Sequence, residues 1–125
     1  MLIEFALNAH PTAPARARSR LDALRPAVTP RILDDLRIVI SELVANSVKY
    51  GPGQPITVRV RVEGPTVVHG EVEDQGKAHE PPVVKLRRGG PGGGYGLNLV
   101  DRLSARWGVR EGSTHVWFVL DHGAA

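Results

Sequence analysis

Leu2-Ile3-Glu4-Phe5-Ala6-Leu7 alternates loosely between apolar and polar positions and predicts an opening strand, interrupted by the Asn8–Pro14 stretch. From Ala15 to Leu24, the apolar residues Ala17, Leu21 and Leu24 recur at helical spacing with arginines opposite them. Pro26 ends that helix. Thr29-Pro30 opens a second, longer helix, with threonine as N-cap and proline at the first helical position. Leu36, Val39, Ile40, Leu43, Ser47 and Tyr50 form its predicted buried stripe, Asp34 and Asp35 fall in its early turns, and Gly51-Pro52-Gly53 stops it. Advancing about 100° per residue gathers Asp35, Glu42, Asn46 and Lys49 on a neighbouring stripe.

Ile56 to Val62 alternates strictly, which predicts a strand with one buried and one wet face. Glu63 to Thr66 is a turn, and Val67 to Glu73 reads as the hairpin partner that delivers Asp74 to a strand end. Residues 77–94 are rich in proline and glycine and show little periodicity, the mark of a long loop. Leu97, Val100, Leu103 and Trp107 predict a third helix closed at Gly108, and His115 to Leu120 a final strand. Grouped helices and antiparallel strands indicate an α+β fold. The expected architecture is a two-layer α/β sandwich, its mixed, mostly antiparallel sheet covered on one face by about three helices. No repeat or linker divides the chain, so residues 1–125 are read as a single domain.

Composition narrows the class. A 42% hydrophobic and 23% charged content is ordinary for a globular protein. No apolar run approaches the ~20 residues of a membrane helix, and Met1-Leu2-Ile3-Glu4-Phe5 lacks the basic start of a signal peptide. A cytoplasmic protein with no membrane contact is expected. Without cysteine there is no disulfide framework, thiol nucleophile or thiolate metal site. The net charge of +3 and sequence pI near 9.8 suit an anionic partner such as a nucleotide, a nucleic acid or an acidic protein surface. No run of basic residues marks a nucleic-acid arm. The five histidines show no metal-ligand spacing, and no serine sits in a Gly-x-Ser-x-Gly turn.

Three segments carry candidate chemistry. Glu42 and Asn46 project from one helix face with Cβ atoms ~5–6 Å apart. A carboxylate there can deprotonate a hydroxyl, an asparagine carbonyl can ligate Mg²⁺, and Lys49 on the same stripe can meet a phosphate. The plain alternative is an exposed polar stripe. Asp74 at a strand end can accept a hydrogen bond from an exocyclic amine such as adenine N6, with Gly76 admitting a ring close to the backbone; the alternative is an ordinary Asp/Gly turn. Gly92-Gly93-Gly94-Tyr95-Gly96 opens into a helix whose free N–H groups can bind an anion. It is neither a P-loop nor a dinucleotide fingerprint, and the alternative is a plain flexible loop.

In these segments the chain resembles the GHKL ATPase superfamily, the Bergerat ATP-binding fold. Within it, the resemblance is to the stand-alone anti-sigma-factor serine/threonine kinases with a histidine kinase-like ATPase domain. Glu42-Leu43-Val44-Ala45-Asn46-Ser47-Val48-Lys49-Tyr50-Gly51 resembles the N box, Asp74-Gln75-Gly76 the G1 box, and Gly94-Tyr95-Gly96-Leu97-Asn98-Leu99-Val100 the G2 box. Arg106-Trp107-Gly108 and Gly112 to Phe118 resemble the usual C-terminal helix end and last strand. The second glycine of the fuller Asp-x-Gly-x-Gly form is absent, as is common in the anti-sigma branch.

The resemblance implies ATP and Mg²⁺ as cofactors, with Glu42 as general base and Asn46 as metal ligand. Lys49 would contact phosphate and Asp74 the adenine amine, with Gly76 giving the ring room. Gly94, Gly96 and Leu97 would wrap the phosphates, and Thr114 would support the adenine end. Residues 77–93 would form a lid from which Arg87 or Arg88 reaches the γ-phosphate. The implied partners are a sigma factor and a small STAS-type anti-anti-sigma protein that receives the phosphoryl group, with homodimerisation as a further implication. A non-catalytic, nucleotide-gated binding module stands as the alternative function.

Overall fold

The computed structural model describes residues 1–76 and 95–123. The chain runs β1 (Leu2–Leu7), α1 (Ala13–Leu21), a 3₁₀ turn (Asp22–Leu24), α2 (Pro30–Tyr50), β2 (Ile56–Gly64), β3 (Val67–Glu73), α3 (Tyr95–Leu103), β4 (Arg106–Val109) and β5 (Val116–Asp121). The five strands form one sheet in the order β1-β2-β3-β5-β4, with antiparallel neighbours throughout. A mixed sheet was expected; among the described residues no strand pair is parallel.

Register sorts the side chains. Val58 lies opposite both Phe5 and Val72, and Gly70 lies opposite both Val60 and Phe118. Because strand side chains alternate between faces, Phe5, Val58, Val60, Val72, Phe118 and Leu120 share one face and are buried. They form one core with Ala17 and Leu21 of α1, Ile32, Leu36, Ile40 and Leu43 of α2, and Leu97 and Val100 of α3. Each such Val, Leu, Ile or Phe contributes roughly 1.5–3 kcal/mol by leaving water. The opposite face carries Glu4, Arg59, Arg61, His69, Glu71, Glu73 and Trp117 by the same register. The result is the expected two-layer sandwich, with helices over one face. No helix among the described residues is long and apolar enough to cross a membrane.

The α2 start follows its sequence signals. The Thr29 hydroxyl accepts the Ile32 N–H at 3.2 Å, and Pro30 occupies the first helical position. Asp34 and Asp35 fall in the second turn, and Asp35 faces His122 Nε2 at 3.0 Å. One expectation for this helix is corrected. Tyr50 is 58% exposed, not buried. The last turn passes beyond the core, and the Lys49 ammonium lies over the Tyr50 ring, 5.3 Å from its centroid.

A second correction concerns Trp107, which belongs to β4 and not to a helix. Ser104 N–H still bonds the Val100 carbonyl at 2.9 Å, but the Ala105 N–H turns to the Val119 carbonyl at 2.8 Å. That bond draws the chain out of α3 and into the sheet. Trp107 nonetheless packs where helical spacing placed it, because its indole N–H donates to Asp101 of α3 at 2.8 Å. A four-residue strand is too short for its period of two to compete with that spacing.

Candidate functional site

Glu42 and Asn46 occupy successive turns of α2, and both are half-buried. Neither side chain hydrogen-bonds another described residue. A carboxylate and an amide carbonyl are therefore presented together at the edge of the core, while Lys49, one turn on, is exposed.

The end of β3 is built more tightly. Asp74 is 4% exposed. Its Oδ1 accepts the Gly76 N–H at 2.9 Å and the Thr114 hydroxyl. Gln75 makes the turn possible by adopting φ 66°, and its side-chain amide donates to the Pro55 carbonyl at 3.3 Å. The Thr114 N–H bonds the Gly76 carbonyl at 3.3 Å, which extends the β3–β5 pairing past both strand ends. No described residue donates to Asp74 Oδ2. That oxygen faces Gly51 at the end of α2, where a Cβ would come within 3.0 Å of it. A Cβ on Gly76 would stand 2.9 Å from Asp74 Oδ1 and 2.5 Å from the Thr114 hydroxyl. Two glycines thus keep both sides of a buried carboxylate clear.

The structure brings Asp74, Gly76 and Thr114 into direct contact and sets them beside the C-terminal end of the helix that carries Glu42, Asn46 and Lys49. Gly96 and Leu97 lie in the first turn of α3. The Leu97 side chain is buried in the core, so only its backbone N–H is placed to meet an anion. Arg87, Arg88 and Gly94, with the lid expected over 77–93, lie outside the described residues. Among the described residues no cluster of His, Asp or Glu could hold a metal ion by itself.

Residues 32–124 match the family described as histidine kinase-, DNA gyrase B- and HSP90-like ATPases, HATPase_c. The chain belongs to this family. No curated protein matches it in sequence. Among solved structures, the chain is similar to the RsbU and RsbW domains of Rv1364c from Mycobacterium tuberculosis, at 21% identity and a TM-score of 0.68. The alignment covers 98% of this chain and 31% of that one, and the likeness is one of fold.

Three features of this HATPase_c chain escaped sequence reasoning. Gly51 was legible only as a helix stop, although its neighbour is the Asp74 carboxylate. Gln75 gave no signal, because residues other than glycine seldom adopt positive φ. The third is a charged cluster on the open sheet face. Arg59 reaches Glu4 Oε2 at 2.5 Å, Glu71 Oε1 at 3.1 Å and Glu73 Oε1 at 3.7 Å. His115 stands 3.2 Å from Glu71 and 3.1 Å from Glu73. Burial alone would push the Glu71 carboxyl up; the hydrogen bonds from His115 and Arg59 outweigh it and hold the carboxyl below its usual range. The alternating charges of β2 and β3 were the available signal, but only the register shows that they meet.

Proposed function

We propose that this chain is a cytoplasmic, ATP-dependent protein serine/threonine kinase and anti-sigma factor. It holds a sigma factor, and it transfers the γ-phosphoryl group of ATP to a hydroxyl on a small STAS-type anti-anti-sigma partner. One observation carries the nucleotide half of this reading: Asp74 is held with Oδ1 engaged by the chain itself, and Oδ2 takes no donor from the described residues. A carboxylate oxygen left in this way is a ready acceptor, and the exocyclic amine of adenine is a donor for it. Membership of an ATPase family, the likeness in fold to an RsbW-containing chain and the resemblance of the three boxes to anti-sigma kinases support the remainder.

In this reading Asp74 accepts the adenine amine, Thr114 fixes the carboxylate and Gly76 leaves room for the ring. Backbone N–H groups of Gly94, Gly96 and Leu97 at the start of α3 cradle the phosphates, with Lys49, Arg87 and Arg88 as cationic contacts. Asn46 fits as a Mg²⁺ ligand because its half-buried amide has no hydrogen-bond partner among the described residues. Mg²⁺ takes few protein oxygens when phosphates supply others, and it neutralises charge on them. Glu42 accepts the hydroxyl proton as the partner's oxygen attacks the γ-phosphorus and the bond to the ADP oxygen breaks. Two copies associate as a homodimer.

The test is incubation with γ-labelled ATP, Mg²⁺ and a STAS-domain protein. Label on a serine or threonine of that protein supports the kinase reading. ATP binding with no transfer to any STAS protein reassigns the chain as a nucleotide-gated binding module.

A further inference from the structure

The ends of β3 and β5 form two consecutive cross-strand pairs. The register that sets Val72 opposite Val116 brings Glu73 to His115 and Asp74 to Thr114, and the pleat sends these pairs to opposite faces of the sheet. Asp74 and Thr114 point toward the helices. Glu73 and His115 point to the open face, where His115 is itself buried, at 8% exposure.

Both imidazole nitrogens of His115 face carboxylates. Nδ1 is 3.1 Å from Glu73 Oε2, and Nε2 is 3.2 Å from Glu71 Oε2. Only the doubly protonated ring donates from both nitrogens; a neutral ring turns one lone pair toward a carboxylate. Glu4, Glu71 and Glu73 face the Arg59 guanidinium, and Arg110 lies 3.8 Å from Glu71. Three carboxylates thus meet two guanidiniums around the ring. The backbone of His115 is held as well: its carbonyl accepts the Arg110 N–H at 2.9 Å, and its N–H donates to the Ser113 hydroxyl at 3.1 Å. Ring and backbone of His115 are thus both held, one residue from Thr114.

We propose that His115 is a positioning residue for the nucleotide site: its ring, clamped between Glu71 and Glu73, holds Thr114 against Asp74, so that ATP affinity depends on that clamp. This rests on the reading of Asp74 as the adenine contact. The open face and the nucleotide site are then two sides of one strand-end junction, and loss of the clamp on one side loosens the other.

The test is calorimetric titration of Mg²⁺-ATP against wild type, His115→Gln, Thr114→Val, the double variant and His69→Gln. His115→Gln should raise the Kd about fivefold, the scale of a modest coupling, and should add nothing further in the Thr114→Val background. His69→Gln, whose ring faces Glu63 on the same open face, should leave the Kd near that of wild type. An unchanged Kd in His115→Gln, or the same step with and without the Thr114 hydroxyl, overturns the proposal. Should His115→Gln not fold, Glu73→Gln removes one jaw of the clamp and is expected to give the same pattern.

A second measurement needs no nucleotide. The Thr114 amide, bonded to the Gly76 carbonyl, should exchange with solvent faster in His115→Gln than in wild type. Equal exchange overturns the clamp, whereas loss of ATP binding alone would overturn only the reading of Asp74.

Discussion

Thr114 and Asp74 meet just beyond the ends of β5 and β3, the threonine hydroxyl donating to the carboxylate oxygen that already accepts the Gly76 N–H. This contact closes a turn, pins two strand ends together and orients a buried charge with its other oxygen toward the end of α2. Hydrogen bonds to a charged group contribute about 1.5–3 kcal/mol each, so the two donors fix the carboxylate well before any ligand arrives.

Gly76→Ala tests the clearance beside that carboxylate. The new Cβ meets Asp74 Oδ1 and the Thr114 hydroxyl at separations no real Cβ adopts. Overpacking of this kind costs about 1–3 kcal/mol, and Mg²⁺-ATP affinity should fall at least about tenfold because the carboxylate itself must move. Gly64→Ala, which points into open space, should change neither by a measurable amount. Equal ATP affinity in Gly76→Ala and wild type would remove Gly76 from the site.

Glu42→Ala should separate binding from chemistry. General-base assistance is worth ~10²–10⁴-fold, so phosphoryl transfer should fall by that order while the Kd for ATP changes little. Parallel loss of both would assign Glu42 to binding.

Gly70→Ala addresses the fold. Its Cβ would enter the Phe118 ring across the β3–β5 pair, and Phe118 is fully buried. The expected loss is about 1–3 kcal/mol, read from the denaturant midpoint, with partial recovery in the double variant carrying Phe118→Leu. A midpoint unchanged from wild type would contradict the described packing.

Stability should also depend on pH through Glu71. Its folded-state pKa lies below the ordinary 4.5, so its contribution is fully present above that value and is lost as the pH falls through the folded-state value. The unfolding free energy should therefore decline below about pH 4.5, and Glu71→Gln should remove part of that decline. An identical acid profile for the variant would mean that the His115 and Arg59 contacts contribute nothing to folding.

Much of this was legible in the chain because local signals and tertiary demand coincide. Thr29-Pro30 at one end of α2 and Gly51 at the other bound a helix whose limits match the reading, and the strict alternation of β2 fixed which face turns inward. Asp74 with Gly76 in one segment and Thr114 in another were singled out, and all three prove to be in contact. Trp107 misled because its spacing from Leu103 suits a helix, while the pairing with β5 that claims it is non-local. Tyr50 misled because periodicity continues past the point where the core ends. The Glu71–His115–Glu73 clamp could not be read at all. It depends on β3 and the start of β5 meeting in one register, which no single segment encodes.

The central claim is that Asp74 reads adenine. Calorimetric titration of ATP with and without Mg²⁺, on wild type and Asp74→Asn, tests it most directly. The predicted result is Mg²⁺-dependent binding by the wild type and a loss of at least about tenfold in the variant, the equivalent of one charged hydrogen bond, with thermal unfolding of the variant still cooperative. Equal affinity in a folded Asp74→Asn, or no binding of ATP to the wild type, would contradict it.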